Sequence, residues 1–187
     1  LTELGSIKIN KEERTKMYKT IPRSSVIGFL IGVLPGAGAT IASFLAYGME
    51  RNVVSDEEKE KFGKGSVNGL SAPETANNAA CSGSFVPMLT LGIPGSGTTA
   101  VMLGALLGFG VQPGPRLYMT NPEIFWSIIM SMYIGMVILL ILNLPLIPYI
   151  ARILAVPKNY LIPLILFFSV TGIYVMSFNN FDIYLMI

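Results

Sequence analysis

Pro35-Gly36-Ala37-Gly38-Ala39-Thr40 recurs in form at Pro94-Gly95-Ser96-Gly97-Thr98-Thr99, with Pro, Gly, Gly and Thr in the same order and spacing. Each copy lies inside a run of apolar and small residues that resumes on its far side. A bilayer offers backbone N–H and C=O groups no water, so irregular backbone at membrane depth survives only where protein or a wet cavity satisfies it. The two stretches therefore read as broken membrane helices. In secondary transporters the exposed ends of such half-helices hold anionic substrate groups or coupling ions.

Composition supports a membrane setting. Hydrophobic residues make up 52% of the chain and charged residues 13%, against about a quarter charged in a soluble domain. The mean hydropathy is +0.60. Charge is crowded into residues 8–23 and 51–64, and beyond Gly65 only Glu74, Arg116, Glu123, Arg152, Lys158 and Asp182 carry any. The chain has no His, which removes the usual proton relay, and a single Cys81, which supports neither an internal disulfide nor a thiolate metal cage.

Outward from the first break, residues 1–23 are basic and polar and belong in water or on the membrane surface, on the cytoplasmic side by the positive-inside rule. Residues 24–47 form a broken helix or a re-entrant hairpin. The hairpin is preferred because a full crossing would put the second basic cluster on the opposite face from the first. Residues 48–69 read as a polar loop with a short surface helix, its start marked by Ser55 as N-cap and Glu58 as the partner of a capping box.

Residues 70–116 hold a helix of small residues with Pro73 in its first turn, then the second break and a half-helix ending at Gln112-Pro113-Gly114-Pro115. Residues 117–187 are ordinary transmembrane spans: one over 123–144 interrupted by Pro145 and Pro148, a polar connection over 152–159, and another span over 161–178. With no opening Met and a last stretch that looks like a span beginning, the chain reads as an internal fragment of a larger permease. The fold class expected is an all-α integral membrane bundle, a multi-span helical bundle with re-entrant or broken helices.

Several residues invite a chemical reading. The second break has Walker A spacing, but Thr98 stands where the phosphate-binding Lys is required, and the first lacks the last Gly of a dinucleotide fingerprint and any preceding strand. Glycine-rich turns opening a helix still present free N–H groups to an anion. That makes Gly36, Gly38, Thr40, Pro94, Gly95, Ser96, Gly97, Thr98 and Thr99 candidate substrate-binding residues. Asn77 and Asn78 supply amide oxygens that bond across helices or ligate Na⁺, the one possible cofactor; Glu74 is a helix-start charge or a buried ion site. Arg116 reads as an exposed loop charge and Cys81 as a packing residue. An enzyme has little support, since Ser96 has no His or Lys partner nearby.

Leu34 to Phe44, Phe62-Gly63-Lys64-Gly65, Ala72-Pro73-Glu74-Thr75-Ala76-Asn77-Asn78-Ala79-Ala80, residues 91–97 and Gln112-Pro113-Gly114-Pro115 together resemble the large permease subunit of the tripartite tricarboxylate transporters, specifically over residues 26–116. Thr75 stands where Ala is common in that family. The resemblance places the chain at the start of the subunit's second half, in one half of a two-repeat transporter. It implies a multi-span permease of the bacterial inner membrane that works with a small membrane subunit and a periplasmic binding protein. Di- or tricarboxylates would be taken up on an ion gradient, with no nucleic acid involved. The rival class is a channel or structural membrane subunit, in which the breaks serve as pore constriction or helix packing.

Overall fold

The computed structural model describes residues 9–153, 157–177, 181 and 184. Secondary structure among these residues is helical throughout, with no strand. The chain divides into two units, residues 6–132 and a second unit over residues 133–187.

The first unit begins with α1 (Lys11–Val33), opened by a capping box in which Asn10 Oδ1 accepts from the Glu13 N–H at 2.8 Å and Glu13 Oε2 accepts from the Asn10 N–H at 2.8 Å. The basic segment from Lys11 to Arg23 and the apolar stretch after it are thus one continuous helix. Residues 34–37 break it, with Gly36 at φ 81° and Gly38 at φ 70°, a region that residues with a Cβ rarely enter. Next come α2 (Gly38–Val53), α3 (Asp56–Lys59), α4 (Val67–Gly83), α5 (Phe85–Leu91), α6 (Gly97–Gly108) and α7 (Leu117–Thr120). The long α8 (Pro122–Ile153) and then α9 (Lys158–Ser177) complete the described helices.

A four-residue spacing organises the core. The buried residues are Thr20, Ser24, Gly28 and Gly32 on α1, Ala42, Ala46 and Glu50 on α2, and Asn68, Ala72, Ala76 and Ala80 on α4, with Gly83 one position short of the next repeat. Residues four apart share a helix face, so each helix presents one stripe of small residues. A Cβ built on Gly28 would lie 2.6 Å from Ala76 Cα, and one on Gly32 would lie 2.6 Å from Ala80 Cα. Both numbers rise together along the two helices, so α1 and α4 run parallel in backbone contact. The Thr20–Glu50 hydrogen bond at one end of α1 and the packing of Ile31 and Ala39 on the alanine cluster at the other make α2 antiparallel to α1. The break at residues 34–37 is therefore the tip of a helical hairpin. Close backbone approach through Gly and Ala is how helices associate where lipid offers no hydrophobic driving force.

A second cluster holds Met88, Leu89, Val111 and Leu117, covered by Phe85, Met102, Leu106, Phe125 and Ile128. It anchors α5, α6 and the start of α8 around the turn at residues 112–115. There Gly114 N–H donates to Leu89 O at 3.1 Å, and a Cβ on Gly92, which sits at φ 69°, would meet Pro113 O at 3.1 Å.

Three local expectations are corrected. Pro73 lies well inside α4, which starts at the Ser66 cap; its carbonyl accepts from Ser43 Oγ at 3.1 Å, tying α4 to α2. Ser55 forms no side-chain cap, because the Glu58 N–H donates to the Ser55 carbonyl at 3.0 Å while the Glu58 carboxylate is drawn to Lys16 and Lys61, and the helix there is a single turn followed by turns through Gly65. Pro145 and Pro148 do not interrupt the helix but are carried within α8. Prolines are tolerated there because neighbouring groups and local adjustments re-satisfy the freed carbonyls.

Within the second unit the part of α8 from Tyr133 onward exposes Ile134, Val137, Leu140 and Ile141, and α9 exposes Ile162, Ile165, Phe167 and Phe168. The 29 residues of Pro122–Ile150 are long and apolar enough to cross a bilayer. Asn159–Val175 is a shorter apolar helix. Of the connection expected over 152–159, residues 154–156 lie outside the described set, as does Phe178 at the end of the last expected span.

Candidate functional site

The two glycine breaks lie at the same end of the three-helix bundle. Gly95, buried in the second break, packs against Ser84 and approaches the end of α1: a Cβ on it would lie 3.1 Å from Ser84 Cβ and 3.6 Å from Gly32 O. Gly32 is two residues before the first break begins. Each break then opens a helix. The α2 N-terminus, at Ala37, carries no side-chain cap, which leaves its first N–H groups open. The α6 N-terminus is closed by a box between Ser96 and Thr99: Ser96 Oγ accepts from the Thr99 N–H at 3.2 Å and Thr99 Oγ1 from the Ser96 N–H at 2.8 Å.

The candidate substrate residues thereby separate. Gly36, Gly38 and Gly97 have no atom within 4 Å of a built Cβ, and Thr40, Gly97 and Thr98 are exposed. These residues offer open N–H and hydroxyl groups. Thr99 is buried at 1% exposure and Ser96 is half-buried, both occupied with capping; Gly95 is buried and Pro94 half-buried, shaping the turn.

The candidate ion residues do not form one cluster. Neighbours on a helix face different ways, and Asn77 turns to α2, donating to Ser43 Oγ at 3.4 Å, while Asn78 donates to Glu74 O at 3.0 Å on its own helix. With α4 starting at Val67, Glu74 is a mid-helix acid with an exposed side chain, which corrects both the helix-start and the buried-ion readings. Glu74, Ser71, Thr75 and Asn78 line one wall of a cavity of about 790 Å³ whose other walls include Glu13, Met17 and Tyr47. Arg116 is exposed, as expected, and Cys81 is exposed with its Sγ 3.9 Å from Asn77 Oδ1, which corrects the packing reading.

A polar node at the opposite end of the bundle went unread in the sequence. Glu50, fully buried, accepts through Oε1 from Thr20 Oγ1 at 2.8 Å, Arg23 Nη2 at 2.7 Å and Asn68 Nδ2 at 3.2 Å. Asn68 Nδ2 also donates to Thr20 Oγ1 at 2.8 Å. The signal that could have found it is the four-residue repeat, which places Thr20, Glu50 and Asn68 on the small-residue stripes of their helices. Outside it, Lys16 Nζ bonds Glu12 and Glu58, both at 3.0 Å. The hydrogen bond from Lys16 holds the Glu58 carboxyl below its ordinary 4.5, and hydrogen bonds to Glu12 and Glu58 hold Lys16 above its ordinary 10.5.

The described residues are all-helical, with one helix long and apolar enough to cross a bilayer, which is the make-up of a helical membrane protein. Residues 2–187 match the tripartite tricarboxylate transporter TctA family, and the chain belongs to that family of membrane transporter components. It is 41% identical over 179 residues to an uncharacterised 52.8 kDa protein of the TAR-I ttuC′ 3′ region of Agrobacterium vitis, covering 96% of this chain and 35% of that protein. Over 160 residues it is 44% identical to an uncharacterised protein of the TAR-II ttuC′ 3′ region of the same organism, covering 86% of this chain and 65% of that protein. The chain thus spans about a third and about two-thirds of their lengths. No solved structure matches it.

Proposed function

We propose that this chain forms part of the permease subunit of an ion-gradient-driven secondary transporter that takes up di- or tricarboxylates across the bacterial inner membrane. A periplasmic binding protein delivers the substrate, and a small membrane subunit completes the assembly. The observation that carries the reading is the pairing of both Pro-Gly breaks at one end of the bundle, each opening a helix. Helix N-termini carry partial positive charge and free N–H donors, which suits carboxylates where no water competes. Gly36, Gly38 and Gly97 let the ligand reach the backbone, and Thr40 and Thr98 add hydroxyl donors.

The hairpin α1–α2 enters and leaves on the same side, with its charged ends at the cytoplasmic face and its tip at depth. Substrate charge is offset by a co-bound cation, Na⁺ in the first instance, and alternating access moves the breaks against counterparts elsewhere in the full protein. The test is uptake of labelled di- and tricarboxylates by vesicles carrying the full-length protein and its partners, with and without an imposed Na⁺ or H⁺ gradient. Saturable, gradient-dependent uptake of an acid is the predicted result. Uptake that never saturates and ignores the gradient would instead mark a channel.

A further inference from the structure

We propose that the buried node around Glu50 is a binding site for a monovalent alkali cation, which exchanges with the Arg23 guanidinium. All the donors that reach the Glu50 carboxylate, from Thr20, Arg23 and Asn68, converge on Oε1, while Oε2 is buried with no partner. Asn68 Oδ1 and Ser24 Oγ are likewise buried and unpartnered, on residues of 5% and 0% exposure, and the Ser71 hydroxyl one turn along α4 is a fourth such oxygen. Turning the Asn68 amide would not relieve the site, because its nitrogen donates to Glu50 Oε1 and a reversed amide would set its oxygen against that carboxylate.

Side chains on a helix lean toward its N-terminus. Because α2 runs against α1, Glu50 leans toward the Ser24 layer and Ser24 leans toward the Thr20 layer. The unpartnered Glu50 and Ser24 oxygens therefore lean into the space between adjacent layers of the bundle, and the Asn68 amide stands beside it through its bond to Glu50 Oε1. Burying such groups unsatisfied costs about 1–3 kcal/mol each.

The donor set selects the ligand class. One carboxylate with amide and hydroxyl oxygens is a hard site, and no group of three His, Cys, Asp or Glu stands among the described residues to hold a transition metal. A single carboxylate balances one positive charge. Arg23 supplies that charge here through one nitrogen, with its side chain 38% exposed and its Nε without a partner. It can turn to water when a free cation takes its place, which keeps the buried site neutral. The inference goes beyond the carboxylate reading and is tested without it.

The experiment is thermal unfolding of the purified full-length protein titrated with NaCl and with KCl, choline chloride holding the ionic strength constant. A saturable rise in the midpoint with Na⁺ or K⁺, absent in choline, is the expected result. Ser24→Ala deletes an oxygen that bonds nothing in the chain, so it folds as the parent does and raises the half-saturating concentration about tenfold or abolishes the shift. Arg23→Gln removes the competing charge and lowers that concentration about tenfold, the factor of a charge-assisted hydrogen bond no longer opposing entry. Equal midpoints in choline and alkali chlorides, or a half-saturation unmoved by Ser24→Ala, overturn the assignment. A shift lost in Asn77→Ala and retained in Ser24→Ala also overturns it, by placing the cation on the other face of α4.

Discussion

Replacing Gly28 by Ala tests the seam that holds α1 against α4. The new Cβ would lie 2.6 Å from Ala76 Cα and 2.8 Å from Ala76 C. Carbon atoms pack at about 3.5–4.0 Å, so the helices must part by about 1 Å along a stripe that also carries Gly32 and Gly83. The obstacle is backbone, which cannot rotate away. Overpacking of this kind costs about 3 kcal/mol at the upper end of its usual range, offset by about 1 kcal/mol for the better helix propensity of Ala. The net is about 2 kcal/mol of destabilisation, read as a lowered unfolding midpoint of the full-length protein. Gly104→Ala, on α6 with nothing within 4 Å of its built Cβ, is the control and keeps or raises the midpoint. Because the clash is with Ala76 main-chain atoms, adding Ala76→Gly does not rescue Gly28→Ala. A Gly28→Ala protein as stable as the control, or full rescue by Ala76→Gly, would refute the backbone contact.

Three further outcomes follow from the geometry. Gly97→Val has open space around its side chain, so it inserts and folds normally yet loses carboxylate uptake; equal loss of membrane insertion would return Gly97 to a packing role. Thr20→Val leaves Glu50 and Asn68 each short of a hydrogen-bond partner and lowers stability by about 1–3 kcal/mol, measured by denaturation of the variant beside wild type. The Glu58 carboxyl lies below 4.5 in the folded chain through hydrogen bonds from Lys16 and Lys61, and Lys16 lies above 10.5 through its hydrogen bonds to Glu12 and Glu58. The contribution of Glu58 is present above pH 4.5 and is lost as pH falls through its lowered value; that of Lys16 is complete below pH 10.5 and is lost as pH rises through its raised value. The protection of amides over residues 56–62, taken relative to their intrinsic exchange rates at each pH, should be higher at neutral pH than in acid, and Glu58→Gln should remove most of that difference.

The breaks were legible because Pro before Gly-x-Gly has few local solutions. Gly36 and Gly38 adopt positive φ, and the second helix begins at Gly97, where the run of apolar and small residues resumes beyond the break. The small residues of 69–84 were legible as a close-packing helix for the same reason: their side chains can do little else. Pro73, Pro145 and Pro148 misled because proline's local preference for a helix start or end yields to tertiary context in long apolar helices. The Glu50 node was illegible locally. Glu50 stands beside Arg51 at the edge of a charged cluster and reads as a surface residue, and its partners Thr20, Arg23 and Asn68 lie 30, 27 and 18 positions away. Only the packing of three helices at a common four-residue repeat brings them together. Nor can one-dimensional spacing separate Asn77 from Asn78, whose side chains the helix turns to different neighbours.

The most direct test of the substrate site is chemical protection at the two breaks. Thr40 and Thr98 are both exposed, one at each helix start. Each is replaced singly by Cys in a full-length protein from which Cys81 and other cysteines have been removed, and labelling by a membrane-permeant maleimide is followed with and without the transported carboxylate. Slowed labelling at both positions, with Ser55→Cys on the surface segment unaffected, is the predicted result. Unchanged labelling at both positions under a carboxylate concentration that saturates uptake would contradict a substrate site built from the paired breaks.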